Sequence, residues 1–245
     1  MTSLRHRPAL DVRVEIRGEL PREDAEYARA QALDTAAGLG PGTRALRIRL
    51  TRVRDRAMTR PALAQADVDL AGVGQVRVQL AAVTAREAVD VALGTLAGRA
   101  GRLREQGDIG FAAAHESAYR PQYAARPLAE RRIARRKEVV LARRTPEQAT
   151  RELLALDRPF HLFVDAATGR DALVHRCPLS GEPGVGRSTG ADPAGPLDLT
   201  EAARRLWLTG GPFVRYADPG DGRARVLYRR YDGHYGLITP VAEPR

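Results

Sequence analysis

The sequence predicts an α+β protein, and three observations carry that expectation. Four segments in the first hundred residues alternate apolar and polar side chains with a period of two. Two Ala-rich segments in the same region place their apolar residues at helical spacing. Further along, one strand–turn–strand pattern occurs twice. The expected architecture is an N-terminal β-α-β-β-β-α domain, with two helices on one face of a four-stranded sheet. Two small tandem α+β repeats follow it.

Taken in order, residues 11–17 (DVRVEIR) set Val12, Val14 and Ile16 against Arg13, Glu15 and Arg17, a half-buried strand. Gly18 and Pro21 end it. Residues 22–37 read as a helix that stops near Gly38 and Gly40. Residues 44–51 alternate again, with Leu46, Ile48 and Leu50 opposite Arg47 and Arg49. A basic loop carries Arg52, Arg54, Arg56 and Arg60. Strand 62–70 opposes Ala66, Val68 and Leu70 to Asp67 and Asp69. After a turn at Gly72 and Gly74, strand 75–83 opposes Val76, Val78 and Leu80 to Arg77 and Gln79. Helix 85–105 gathers Ala88, Val91, Ala92, Thr95, Leu96 and Leu103 on one face, with Arg86, Arg99, Arg102 and Arg104 largely elsewhere. Every strand has one apolar face, so both helices should pack on the same side of the sheet.

The expected division is residues 1–107 for this domain and 108–134 for a linker, partly helical near 128–136. The first repeat then takes 135–178, a Gly/Pro linker 179–196, and the second repeat 197–245. Repeat one has strand 137–142, a helix capped by Thr145 with Pro146 at its first position, strand 160–165, a turn at Gly169 and strand 172–176. Repeat two has helix 200–208, strand 213–218, a turn at Gly222 and strand 225–230. Phe160/Phe213, Phe163/Tyr216, Asp165/Asp218, Gly169/Gly222 and Arg176/Arg229 share one offset, which points to duplication. The copies are incomplete in different ways: the first lacks a closing strand like Tyr235–Ile238, the second an opening one.

The 43% hydrophobic content supports a packed core, and no apolar run is long enough to span a membrane. The start MTSLRHRPAL lacks a signal-peptide core, so a cytoplasmic location is expected. Forty basic residues against 30 acidic ones, with a net charge of +10, favour polyanionic partners through counterion release. All the basic residues but Lys137 are arginine, whose fork matches phosphate oxygens.

A search for catalytic chemistry returns nothing. Gly181 to Ser188 (GEPGVGRS) has the outline of a phosphate loop, but the following TGADPAGP cannot start a helix, so it reads as linker. Asp67 and Asp69 share a strand face with arginines on neighbouring strands and read as surface charge. His161, His175 and His234 lack zinc-ligand spacing, and Cys177 is a lone thiol. No enzyme activity, metal, cofactor or small-molecule substrate is expected.

Three segments carry a resemblance: Val14-Glu-Ile-Arg-Gly18, Pro61-Ala-Leu-Ala-Gln-Ala-Asp-Val-Asp-Leu70, and Arg86-Glu-Ala-Val-Asp90 with the basic helix after it. With Val226-Leu-Tyr-Arg-Arg-Tyr-Asp-Gly-His-Tyr-Gly-Leu-Ile238, they resemble the long-form ribosome hibernation-promoting factors. That family is also called S30AE or sigma-54 modulation proteins. The duplicated tail resembles the actinobacterial, hypoxia-associated hibernation factors. The resemblance implies that the N-terminal domain is similar to a double-stranded-RNA-binding fold. It implies binding in the decoding channel of the small (30S) subunit of the 70S ribosome, where the domain would block mRNA and tRNA. The implied rRNA contacts are Arg86, Arg99, Arg102 and Arg104, with Arg54, Arg56, Arg60 and Arg17. The two repeats should pair within one chain through Phe160, Phe163, Phe213, Tyr216, Tyr228, Tyr235 and Leu237, leaving a monomer on single ribosomes. A general RNA-binding or transcription-modulating protein is the alternative.

Overall fold

A computed structural model describes residues 10–55, 57–106, 119–176, 183–184 and 196–241. Arg56, Cys177 and most of Gly181 to Ser188 lie outside the described residues. The chain divides into two compact units. Unit 1 is Met1–Gln122 with Ala155–Asp157, and unit 2 is Tyr123–Leu154 with Arg158–Arg245.

Unit 1 has the expected element order. Strands β1 (Asp11–Arg17), β2 (Thr43–Arg52), β3 (Ala62–Leu70) and β4 (Gly74–Ala82) form one sheet in that order. β1 and β2 are parallel, and the other pairs are antiparallel. Helices α1 (Arg22–Gly38) and α2 (Ala85–Gln106) cover one face. The core interleaves Leu46, Ile48, Leu50, Val68, Val76 and Val78 with Ala28, Ala32, Ala36, Ala92 and Leu96. Small alanines on the buried face of α1 let its backbone approach the sheet closely. On the opposite face the charges neutralise one another. Glu15 is held by Arg47 and Arg49, and Asp67 by Arg77.

The outer edge of β4 is covered, which removes an unpaired strand edge. The Ala81 amide donates to the Tyr119 carbonyl (2.7 Å), and the Gln79 amide to the Asp157 carboxylate (2.9 Å).

Unit 2 shows the duplication down to single hydrogen bonds. Its first helix, α3 (Pro146–Ala155), and second helix, α4 (Leu199–Thr209), bury Ala149 and Leu153, and Ala202 and Leu206, at matching positions. The Gln148 amide donates to Thr145 Oγ1, as the Glu201 amide does to Asp198 Oδ1. The Gly169 amide donates to the Asp165 carbonyl and the Gly222 amide to the Asp218 carbonyl, both at 2.8 Å. The Arg176 amide meets the Pro159 carbonyl, and the Arg229 amide the Pro212 carbonyl, both at 2.9 Å.

The strands depart from the expected repeats. Repeat one contributes β6 (Arg143–Arg144), β7 (Phe160–Asp165) and β8 (Asp171–Arg176), and the segment expected as a linker adds β9 (Pro183–Gly184); the four form one sheet in that order. Repeat two contributes β10 (Phe213–Ala217), β11 (Ala224–Arg229) and β12 (Tyr235–Val241). The strand expected at 137–142 is observed earlier, as β5 (Ile133–Val140), after a single 3-10 turn at Leu128–Glu130. It does not join repeat one. It pairs in parallel with β12, giving the order β10-β11-β12-β5. The opening strand missing from repeat two is thus supplied by the segment that opens repeat one.

Candidate nucleic-acid interface

The strand register fixes where the expected arginines lie. Arg17 aligns with Thr51, Arg52 with Ala62, and Ala62 with Ala82, so the ends of β1, β2 and β4 and the start of β3 share one end of the sheet. Arg54 and Arg60 belong to the loop at that end. Arg86 joins them because α2 begins three residues after β4. Of the expected set, the fold therefore brings Arg17, Arg54, Arg60 and Arg86 together. Arg17, Arg54 and Arg86 are exposed, and Arg60 is half-buried.

Carboxylates share this row. Arg54 pairs with Glu19, and Arg86 pairs with Asp24 (3.2 Å) and Glu23 (3.7 Å) while lying 5.3 Å from the Tyr27 ring centroid. Exposed pairs of this kind are worth only about 0–1 kcal/mol, so a phosphate can replace the carboxylate at little cost. Glu23 and Asp24 also occupy the first turn of α1, where the helix dipole favours negative charge.

Arg102 and Arg104 do not join the row. At 1.5 Å per residue, α2 carries Arg104 about 27 Å from Arg86. Arg104 donates to the Leu39 carbonyl at the end of α1, and Arg102 is half-buried.

Arg99 is corrected outright. It is 1% exposed, donates to the Arg77 carbonyl (3.1 Å) and lies 3.5 Å from Asp157. It follows Leu96 by three residues and Ala92 by seven, which puts it on the buried face of α2. Asp157, with φ of 47°, also accepts from Arg120 at 2.7 Å. Reversing the charge of Arg99 would disrupt folding before it tested RNA contact.

The seven expected pairing residues also divide by strand alternation. Phe160, Phe213 and Tyr228 lie in a cluster drawn from both repeats, with Leu162, Leu173, Val226 and Ile238. The ring centroids of Phe160 and Phe213 are 4.7 Å apart, and those of Phe160 and Tyr228 are 5.9 Å apart. Phe163 instead faces its own helix, with Ala149 and Leu153. Tyr216, Tyr235 and Leu237 face theirs, with Ala202 and Leu206. A polar link also joins the repeats: Arg215 donates to the Asp171 carbonyl (3.1 Å), and Arg223 pairs with its carboxylate (3.4 Å).

Sequence reasoning passed over the cations of β5. Residues 131–137 (RRIARRK) hold five cations in seven positions, and that density was the available signal. Among the described residues no three His, Cys, Asp or Glu side chains converge to hold a metal ion. Among the described residues no helix is long and apolar enough to cross a membrane.

Residues 129–178 and 188–237 each match the family described as Sigma 54 modulation/S30EA ribosomal protein C terminus. Two curated relatives from Mycobacterium tuberculosis, strains CDC 1551 / Oshkosh and ATCC 25618 / H37Rv, are described as dormancy associated translation inhibitor. Each is 43% identical over 136 residues, covering 47% of this chain and 50% of the relative. The chain thus spans about half the length of the curated relatives it matches. Among solved structures, the Thermus thermophilus Protein Y N-terminal domain aligns at 22% identity with a TM-score of 0.30. That alignment covers 38% of this chain and 99% of the other.

Proposed function

We propose, for a chain whose two C-terminal repeats belong to the Sigma 54 modulation/S30EA ribosomal protein family, that it inhibits translation during stress or dormancy by binding ribosomes. Unit 1 enters the decoding channel of the small subunit and excludes mRNA and tRNA by occupying their path. No bond is made or broken. In the arginine row at Arg17, Arg54, Arg60 and Arg86, which the sheet and helices hold in place, Arg54 and Arg86 exchange their carboxylate partners for rRNA phosphates. The family match of the repeats and the description of the M. tuberculosis relatives as a dormancy associated translation inhibitor support this reading. The protein acts in the cytoplasm, as ribosome binding requires.

The observation that carries the second half of the reading is the cluster shared by Phe160, Phe213 and Tyr228. Two repeats tethered in one chain meet at a high effective concentration, which outcompetes a repeat from another molecule. The chain is then a monomer that stabilises single 70S ribosomes.

Competition on purified 30S subunits tests the first half. The intact chain should displace mRNA and initiator tRNA, and simultaneous binding of all three would refute occlusion. Equal affinity for naked RNA and 30S subunits would favour a general RNA-binding role. Sedimentation of 70S ribosomes with the intact chain tests the second half, and a strong disome peak would overturn it.

A further inference from the structure

We propose that the outer edge of β5 is a second RNA site, in which Arg132, Arg135 and Arg136 grip a phosphate backbone independently of the arginine row on unit 1. That the RNA is ribosomal rests on the reading above; the phosphate chemistry does not. Among the described residues β12 is the one strand paired with β5, so β5 forms the rim of its sheet. Its cations are arranged around that rim. The register shifts at Ala134, so that Ile133 opposes Tyr235 and Arg135 opposes Gly236. Beyond this bulge, Arg135 lies beside Gly236 on the face of the sheet that carries Tyr228. Arg136 lies beside Leu237 on the face that carries Tyr216. The two guanidinium groups straddle the edge, with Arg132 preceding them.

The contrast with unit 1 decides the ligand. There, Arg54 and Arg86 already hold carboxylates. Arg135 and Arg136 on β5 and Arg132 just before it are exposed, and among the described residues none of the three meets a carboxylate at ion-pair distance. Unneutralised cations on a ridge accumulate counter-anions, and a polyanion that replaces them gains the full entropy of their release. From Arg132 to Arg136 the strand rises about 13 Å. That length spans a few consecutive phosphates of one strand. A second copy of this chain is a poor occupant: antiparallel pairing of two β5 edges would set like charges side by side.

The test uses the full chain, with Arg132→Gln, Arg135→Gln and Arg136→Gln combined, and a second variant carrying lysine at the same three positions. Two probes are titrated over a range of salt: a short A-form RNA duplex and purified 30S subunits. The glutamine variant should bind both probes at least tenfold more weakly. Its plot of log affinity against log salt should be shallower by about 2–3, as expected for three lost phosphate contacts. The lysine variant, which keeps the charge, should retain most of the slope, and this separates charge loss from misfolding. An unchanged slope on the duplex overturns the proposal. So does a loss confined to 30S subunits, which would assign the edge to a ribosomal protein. If the intact chain fails to bind 30S subunits while the duplex result holds, the ribosomal reading falls and the RNA site stands.

Discussion

At the scale of single residues, two positions carry more than their composition suggests. Gly236 sits against Tyr228 so closely that an added Cβ would lie 2.2 Å from the ring carbon bearing the hydroxyl and 2.4 Å from the oxygen. Behind Tyr228 stands Phe160, with the two ring centroids 5.9 Å apart. Gly236→Ala should therefore destabilise unit 2 by about 1–3 kcal/mol in denaturant unfolding, as overpacked cores do. In a Tyr228→Ala background the same change should cost little, and equal costs in both backgrounds would exclude the steric explanation. Glu15 is the second position. Hydrogen bonds from Arg47 and then Arg49 hold its carboxyl at about 2, against an ordinary 4.5. A carboxylate whose pKa is lowered on folding stabilises the fold above its unfolded value and loses that effect as pH falls through the folded value. The contribution is complete above pH 4.5 and fades towards pH 2. Glu15→Gln should flatten the acid limb of the stability curve of unit 1 in that window and leave its slope near neutrality unchanged.

At the scale of elements, the two repeats start their helices with different chemistry for the same task. Thr145 and Asp198 hold matching positions, and each side chain accepts from the amide three residues on. In repeat one the Gln148 side chain also accepts from the Thr145 amide at 3.0 Å, which completes a capping box. Thr145→Ala and Asp198→Ala should each cost about 1 kcal/mol in thermal unfolding. A negligible effect at both positions would mean that tertiary packing alone holds these helix starts. Boundaries of this kind were legible in sequence because they are local: caps, prolines and alternation act within a few residues. Arg99 was misread because its charge outweighed its position, three residues after Leu96 on a helix whose buried face is wide. Phe163, Tyr216, Tyr235 and Leu237 were misread for a related reason. Aromatic and apolar character marks a residue as buried, but only strand parity says which of two cores it enters. The partner of β5 was illegible, because parallel pairing leaves no local signature and this pair is far apart in sequence.

At the scale of the whole molecule, the C-terminal unit is a composite. The sheet of repeat two is completed by β5, a strand that precedes those of repeat one, and the shared cluster draws side chains from both. Removing repeat two from the chain would strip β5 of its partner and uncover Phe160, Leu162 and Leu173. A chain ending before residue 196 should therefore self-associate at micromolar concentration, while the intact chain stays monomeric in light scattering. A truncated form that remains a monomer would show that repeat one is self-sufficient.

The pairing of β5 with β12 also sets a clock on synthesis. Strands that meet across roughly a hundred residues cannot join while the chain between them is still being made. At usual elongation rates of about 5–20 residues per second, β5 emerges about 5–20 seconds before its mate. During that interval its basic edge and its apolar face stand open on the nascent chain. Unit 1, whose strands pair with near neighbours, can close long before. The two halves of the protein therefore mature on different schedules, and the later one cannot close until β12 has left the exit tunnel.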